Sequence, residues 1–331
     1  MSIAVVILNW NGLDLLKTFL PSVVKHSEEA QVYLVDNAST DDSVAYVKTT
    51  YPNVKIILNP SNAGYAGGYN QGLKHIEEDV YILLNNDVSV CENWLKPITS
   101  TFETHKDIAV IQPKILDYNK PEYFEYAGAA GGFLDICGYP YCRGRIFNTL
   151  EKDSGQYDKD SEILWASGAC LIIKNEVFWE IGGFDELYFA HQEEIDLCWR
   201  IHNLGYKIWY CHQSCIYHLG GGTLSAFHPK KTFLNFRNSL FNITKNVASP
   251  WFVLVLVKRL LLDGLACVRF LFLGQFKHIF AVLMAHLSFY KHSIKILKQR
   301  NKSLNSFKYY TTWSIVFQYF LLQKKHYKDL N

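Results

Sequence analysis

The run Asp79-Val80-Tyr81-Ile82-Leu83-Leu84-Asn85-Asn86-Asp87-Val88 limits the possible folds of this chain more than any other. Residues 80–84 are apolar without a break and are flanked by polar residues on both sides. A strand with no polar alternation has no solvent-facing side, so it belongs inside a parallel sheet covered on both faces. In open α/β sheets, ligands bind beyond the carboxyl ends of such strands. The Asn-Asn-Asp that closes this one stands at that position, and Asp87 is a candidate to hold a divalent cation against a phosphate. The same carboxylate would equally serve to cap a turn before a helix expected over residues 92–105. The stretch alone does not separate the two roles.

The flanking sequence supplies partners for such a strand. Residues 3–8 form an apolar run ending in Asn9-Trp10-Asn11-Gly12, and an amphipathic helix follows with Leu13, Leu16, Leu20, Val23 and Val24 on one face. Residues 31–35 form a second strand closing on Asp36-Asn37-Ala38-Ser39-Thr40, where Ser39 or Thr40 would N-cap the next helix. Residues 54–58 form a third strand. The loop from Asn59 through Asn62, Gly64, Gly67 and Gly68 then leads into a helix reaching Lys74. A further strand is expected over 108–111. This alternation at short spacing predicts a mostly parallel, doubly wound sheet over the first 115 residues.

Beyond it, residues 114–161 read as loops and a hairpin over one side of the sheet. Strand character returns over 163–173. A helix is expected over 193–204, stopped by Gly205, and two strands over 206–211 and 214–218. The expected organisation is an α/β domain over 1–244, in two halves (1–115 and 116–244), followed by a helical region over 245–331.

That last region has a different texture. The formal charge of the 331 residues is only +2, yet residues 245–331 carry fourteen Lys and Arg against two Asp, or +12. The remainder, with nineteen basic and twenty-nine acidic residues, carries −10. Residues 251–257 and 260–273 are almost wholly apolar but are interrupted by Lys258, Arg259, Asp263 and Arg269. No uninterrupted apolar span approaches the ~20 residues of a transmembrane helix. The pattern suits helices lying in the plane of an anionic membrane surface, with basic residues at headgroup level. Nucleic acid is not expected as a partner. It calls for aromatic platforms in a solvated groove, and here the aromatics share apolar runs with Leu and Val. Residues 3–8 are too short for a secretory signal, so the eight scattered cysteines are expected to be reduced thiols.

Four groups of residues have the character of a site. Asp36, at a strand end, can accept from a ribose hydroxyl or a base N–H, or can cap the turn at Ser39. Gly64, Gly67 and Gly68 offer bare N–H groups to phosphate at a helix start, although a plain turn uses the same residues. Glu193, Glu194 and Asp196 crowd a helix N-terminus. The helix dipole accounts for one or two of them, and a third beside aromatics points to proton transfer. His218, ahead of Gly220-Gly221-Gly222, is a metal ligand, a phosphate donor or a structural residue. Cys211, His212, Cys215 and His218 lack a four-ligand zinc spacing, and no zinc site is expected.

As an ordered set, these motifs resemble the inverting glycosyltransferases of family 2, which have the GT-A fold. Among them the chain is most similar to the rhamnosyltransferase-type branch that builds bacterial surface polysaccharides. The matching stretches are Val5–Gly12, Val35–Ser39, Asn62–Asn70, Leu83–Asp87, Gly168-Ala169, Gly183–Glu186, Glu193–Arg200, His218–Gly221 and Arg237-Asn238. Together they span about residues 1–240.

The resemblance implies transfer of a hexose, rhamnose being one candidate, from a nucleoside diphosphate donor to an acceptor hydroxyl. The acceptor it suggests is a lipid-linked glycan at the cytoplasmic face of the inner membrane, with the protein peripherally bound. It assigns nucleotide-sugar binding to Asn9, Asp36, Asn62, Gly64, Gly67 and Asn86. It assigns Mg2+ or Mn2+ binding to Asp87 with His218, and the general base to Glu194. Two departures stand out. The family's metal motif is often Asp-x-Asp where this chain has Asn85-Asn86-Asp87, and its Glu-Asp pair is here Glu193-Glu194. The longer arm keeps Glu193 and Asp196 in play as the base. It also leaves room for a non-catalytic nucleotide-sugar-binding subunit of a polysaccharide-synthesis complex.

Overall fold

The apolar run 80–84 lies, fully buried, in β4 (Val80–Asn85) of a nine-stranded mixed sheet. The computed structural model describes residues 1–220, 228–249, 251–300 and 308–330. Burying such side chains contributes roughly 1.5–3 kcal/mol each relative to exposure, and this is why so apolar a segment takes a central position. Beside β4 lies β1 (Ile3–Asn9), then β2 (Gln31–Asp36) and β3 (Lys55–Leu58), all parallel. Their register sets Leu8 against Asn85 and Asn9 against Asp36, so the polar ends of β4, β1 and β2 open on one edge of the sheet.

The other flank departs from the expected parallel order. β12 (Cys170–Lys174) inserts antiparallel between β4 and β6 (Ile108–Asp117). The two strands expected over 206–218 are one, β13 (Lys207–His218), parallel to β6 with a register shift between Cys211 and Cys215. The helix expected from Glu92 begins only at Lys96, because Asp87 is followed by a strand, β5 (Val88–Val90), which pairs with the end of β13. β11 (Ser161–Ile163) closes that edge. Residues 132–150, expected as loops and a hairpin, form a small antiparallel sheet of four strands, β7 (Gly132–Leu134), β8 (Pro140–Cys142), β9 (Arg145–Ile146) and β10 (Thr149–Leu150).

One face of the main sheet buries Leu16, Leu20 and Val23 of α1 (Leu13–His26), Val47 of α2 (Ser43–Thr50), and Ile98 and Phe102 of α4 (Lys96–Thr104). The other is covered by α3 (Gly64–Leu73), α5 (Asn175–Glu180), α6 (Glu193–Asn203) and the small sheet. α2 begins at Ser43 with no side-chain cap, so neither Ser39 nor Thr40 performs the capping expected of it.

The C-terminal region is not a separate appendage. α7 (Pro229–Asn246) runs across the expected boundary at 244, and Lys245 is buried with its ammonium 2.8 Å from Asp185 and 2.9 Å from Asp196. α8 (Trp251–Phe272) and α9 (Phe276–Gln299) form a helical hairpin packed on α7. Residues 308–330, which include α10 (Ile315–Phe320), return to the small sheet. There Thr311 N–H donates to the Leu134 carbonyl and Ile136 N–H to the Thr312 carbonyl, both at 3.1 Å. Among the described residues, no helix is long and apolar enough to cross a membrane.

Candidate active site

At the carboxyl edge of the parallel strands, short polar side chains form a chain of hydrogen bonds. Asn86 Nδ2 donates to Asn9 Oδ1 at 2.9 Å, and Asn9 Nδ2 donates to Asp36 Oδ1 at 3.2 Å. Asp36 also accepts from the Ser39 N–H at 2.8 Å and the Ser39 hydroxyl at 2.6 Å. The carboxylate thus holds the turn after β2 at the carboxyl edge of the parallel strands. Gly12 lies against this chain so closely that a Cβ there would sit 2.4 Å from both Asn86 Nδ2 and Asn9 Oδ1.

Asn37, buried next to Asp36, links to the following loop. Its Nδ2 donates to Asn62 Oδ1 and to the Gly64 carbonyl, both at 3.0 Å, while its Oδ1 accepts from Asn59 Nδ2 at 3.2 Å. This residue was not singled out in the sequence. Its signal was its place directly after a strand-end Asp.

The glycines of this loop are not displayed as an open phosphate cradle. The Gly64 N–H donates to Asn62 Oδ1 at 2.9 Å, and the Tyr65 N–H donates to the Phe189 carbonyl at 2.8 Å. The first amides of α3 are therefore already occupied. Gly64 is required at φ +72°, with the Phe189 carbonyl only 2.4 Å from where a Cβ would be. Gly67 packs against Ala63 and Glu186. Their phosphate-binding assignment gives way to one of close packing, with Asn62 and Gly64 adjoining the Asp36–Asn37 edge.

Asp87 ends the segment after β4 and is paired with His218, the last residue of β13. Asp87 Oδ1 lies 3.1 Å from His218 Nε2, and the Leu219 N–H donates to the Asp87 carbonyl at 3.0 Å. On the opposite edge of the imidazole, Glu125 Oε1 lies 3.3 Å from Nδ1. Burial alone would lower the His218 pKa, but Glu125 and Asp87 outweigh it and hold the ring charged, up to about 10. Glu125 belongs to the segment after β6, and nothing in its local sequence marked it.

Among the described residues, no group of three or more His, Cys, Asp or Glu side chains is arranged around one ion. The reason is geometric: Asp87 and Glu125 flank opposite ring nitrogens, so one cation cannot touch both. Asp87 Oδ1 and His218 Nε2 do converge. To hold Mg2+ or Mn2+ there, His218 would give up the Nε2 proton that it shares with Asp87, since only the neutral imidazole ligates a metal, and diphosphate oxygens and water would fill the remaining positions. Glu125 stands on the side of the ring where a carboxylate orients a ligating imidazole from its far nitrogen, close to Nδ1 but not aligned for a hydrogen bond with it. The triple-glycine segment beyond Gly220 lies outside the described residues.

The acidic cluster at the start of α6 separates into three environments. Asp196 is wholly buried, bonded to Arg200 at 2.8 Å, Lys245 at 2.9 Å and Asn246 at 3.0 Å. Burial would raise its pKa, yet Arg200 and Lys245 bring it down to about 2. It is a permanently charged structural anchor, unsuited to taking up a proton. Glu193 is also buried, its pKa raised by burial and by Glu194, and its Oε2 has no hydrogen-bond partner among the described residues. Glu194 is only half-buried. Burial pushes its pKa up to about 7 against the pull of backbone N–H groups at the helix start. A carboxylate in that range is matched to general-base work near neutral pH.

The turn that presents these acids is strained. Phe189, His191 and Gln192 have φ of 63°, 68° and 69°. Non-glycine residues pay for such conformations, which persist where surrounding structure enforces them. Here α7 does so. Asn238 Nδ2 donates to the carbonyls of Tyr188, Ala190 and His191 at 3.2, 3.1 and 2.6 Å, and Arg237 donates to those of Leu187 and Tyr188, both at 3.0 Å. Gln192 Oε1 accepts from the Ser239 hydroxyl at 3.0 Å and Asn242 Nδ2 at 3.2 Å.

Comparison with known proteins bears on the family and the fold. The family model described as Glycosyl transferase family 2 matches residues 4–182. The chain is 26% identical over 210 residues to an N-acetylglucosaminyl-diphospho-decaprenol L-rhamnosyltransferase of Mycobacterium tuberculosis (strain CDC 1551 / Oshkosh), covering 58% of this chain and 67% of the relative. Among solved structures, GalNAc-T7 with UDP, GalNAc and Mn2+ superposes with a TM-score of 0.58 at 18% identity, over 76% of this chain and 49% of that one. S. aureus TarS 1-349 with UDP-GlcNAc does so with a TM-score of 0.53 at 16% identity, over 78% and 72%.

Proposed function

The chain belongs to glycosyl transferase family 2, and from that premise we propose that it moves a sugar from a nucleoside diphosphate donor to an acceptor hydroxyl, with inversion at the anomeric carbon. One observation carries the reading. The Phe189 carbonyl on the α3 amides ties the turn bearing Glu194 to the loop bearing Asn62 and Gly64, beside the strand-end set Asn9, Asp36 and Asn86.

In this reading Asp36 and Asn9 form the floor of the nucleoside pocket and Asn62 and Gly64 its wall, while Asn86 faces the ribose and diphosphate. Mg2+ or Mn2+ held by Asp87 and His218 would neutralise charge on the diphosphate. Glu194 takes the proton of the acceptor hydroxyl. The freed oxygen forms the new bond to the anomeric carbon from the face opposite the leaving group. The carbon–oxygen bond to the diphosphate breaks, and its electron pair leaves with the nucleoside diphosphate. Attack from the opposite face is what inverts the centre. Glu125 acts through His218 as a positioning residue.

Rhamnose as the sugar and a lipid-linked glycan as the acceptor are supported by the name of the mycobacterial relative. Such an acceptor suits an enzyme at the cytoplasmic face of a bacterial inner membrane. The test is a donor screen with purified protein and a diphospho-polyprenyl GlcNAc acceptor, reading nucleoside diphosphate release across dTDP-, UDP- and GDP-sugars. Acceptor-dependent release from one donor class, with the product linkage inverted, is the expected result. Retention at the anomeric carbon, or no turnover of any donor, would overturn the reading.

A further inference from the structure

α8 is built with its polarity reversed. In a helix on a water-soluble core the apolar stripe faces inward and charge faces solvent. Here the inward face carries Arg259 and Asp263, 3% and 0% exposed. They bond each other at 2.8 Å, and Asp263 is also within reach of His286 at 3.1 Å and the Tyr139 hydroxyl at 3.2 Å. The Arg259 guanidinium stacks 3.7 Å over the Tyr139 ring.

The outward face is apolar. Leu261, Leu265 and Phe272, spaced to share one side of the helix, point to solvent. On α9, Phe280, Leu287 and Ile294 do the same at seven-residue intervals. These six side chains are between 60% and 85% exposed. Large apolar side chains exposed in this number on two packed helices mark an interaction site.

The charges around it select the occupant. Lys258, Arg269, Lys277, Lys291, Lys295 and Lys298 are exposed on the two helices, while the single acidic residue of segment 251–300, Asp263, is buried. A second copy of the chain seated on this face would bring like charge against like. A layer with an apolar interior and anionic headgroups satisfies both the stripe and its basic border. We propose that the α8–α9 hairpin is a membrane-docking surface that lies in the interface of an anionic bilayer, with Leu261, Leu265, Phe272, Phe280, Leu287 and Ile294 in the acyl region.

The hairpin is rigidly joined to the candidate active site. Phe289 and Ile296 of α9 pack with Leu240 and Phe241 of α7 and with Tyr188, the residue preceding the strained turn. The Arg300 guanidinium donates to the Thr244 carbonyl at 2.6 Å. Docking would therefore hold the Glu194 turn at a set height over the lipid surface.

The proposal rests on exposed surface and charge and needs no transfer reaction. Its test is flotation of the full chain with phosphatidylcholine vesicles, with and without phosphatidylglycerol. The wild type should float with anionic vesicles, and Glu194→Gln should float equally well whatever its activity. Leu261→Glu with Leu265→Glu should remain at the bottom with an unchanged circular dichroism spectrum. Lys277→Glu with Lys291→Glu should weaken binding, each basic contact being worth about fivefold. Should the leucine variant misfold, quenching of tryptophan fluorescence by brominated lipid in the wild type, reduced in Trp251→Phe, reports on the start of α8. No flotation and no quenching would overturn the proposal. A dimer in solution that the leucine variant dissolves, without lipid binding, would overturn it in favour of self-association.

Discussion

Asp87 Oδ1 and His218 Nε2 approach to 3.1 Å across the junction of β5 and β13, although 130 residues of chain separate them. The antiparallel pairing of Val88 with His218 enforces that approach, so the backbone pre-sets the pair before any ligand arrives.

Replacing Asp87 by Ala is expected to abolish divalent-cation-dependent donor binding while leaving the fold intact, because among the described residues its side chain is ion-paired with His218 alone. Calorimetric titration of donor with and without Mn2+ checks this, and unchanged metal dependence would remove Asp87 from the site. Glu125→Gln should reduce apparent metal affinity about 10–100-fold, the usual cost of losing an orienting carboxylate behind a ligating histidine.

Glu194→Gln should lower kcat by roughly a hundredfold or more with donor binding retained. In the wild type, kcat/KM for the acceptor should rise with pH and level off above about 7, where Glu194 is ionised. Stability should run the other way. The folded-state pKa lies above the ordinary value of 4.5, so the contribution of Glu194 is full below 4.5 and is lost as pH rises through about 7. Thermal melts of wild type and Glu194→Gln across that window should diverge, the variant gaining on the wild type as pH increases. If Glu193→Gln is the inactive variant, the base is misassigned.

Asp196→Asn should behave as a folding mutation. It leaves the buried Lys245 ammonium and the Arg200 guanidinium short of a counter-charge, and breaking a buried pair costs about 3–5 kcal/mol. Denaturant unfolding monitored by circular dichroism measures it. A variant that is stable but inactive would move Asp196 into the chemistry.

Gly64→Ala should cost about 1–3 kcal/mol for the left-handed backbone and should displace the Phe189 carbonyl that the new methyl would meet. Since that carbonyl ties the Glu194 turn to α3, kcat should fall more than the donor KM rises. Steady-state kinetics with varied donor and fixed acceptor separate the two.

The parallel half of the sheet and the edge where ligands gather were legible in the sequence, because they are encoded locally. An unbroken apolar run specifies a strand buried on both faces, and the polar residues that end it sit at its carboxyl edge. The family resemblance grouped Asn9, Asp36 and Asn86 in one site, and the parallel pairing of β4, β1 and β2 brings their ends side by side. The family resemblance added roles that spacing alone did not supply.

What the tertiary structure decided depends on residues brought in from far along the chain. Glu193, Glu194 and Asp196 are near-equivalent in sequence. They differ because Lys245 arrives from α7 to neutralise Asp196 and Asn246 to donate to it, while Glu194 is half-buried and, among the described residues, in no ion pair. Glu125 gains its place only when the segment after β6 folds behind His218. The glycines of the 64–68 loop are set by close packing from far along the chain, Gly64 against Phe189 and Gly67 beside Glu186, while the Phe189 carbonyl takes the Tyr65 amide at the start of α3. In α8 the sequence determined an apolar helix interrupted by charge. Which face turns inward was settled by Tyr139 and His286, since a buried Arg–Asp pair is tolerable only where further hydrogen bonds satisfy it, and the apolar stripe then has no place but outside.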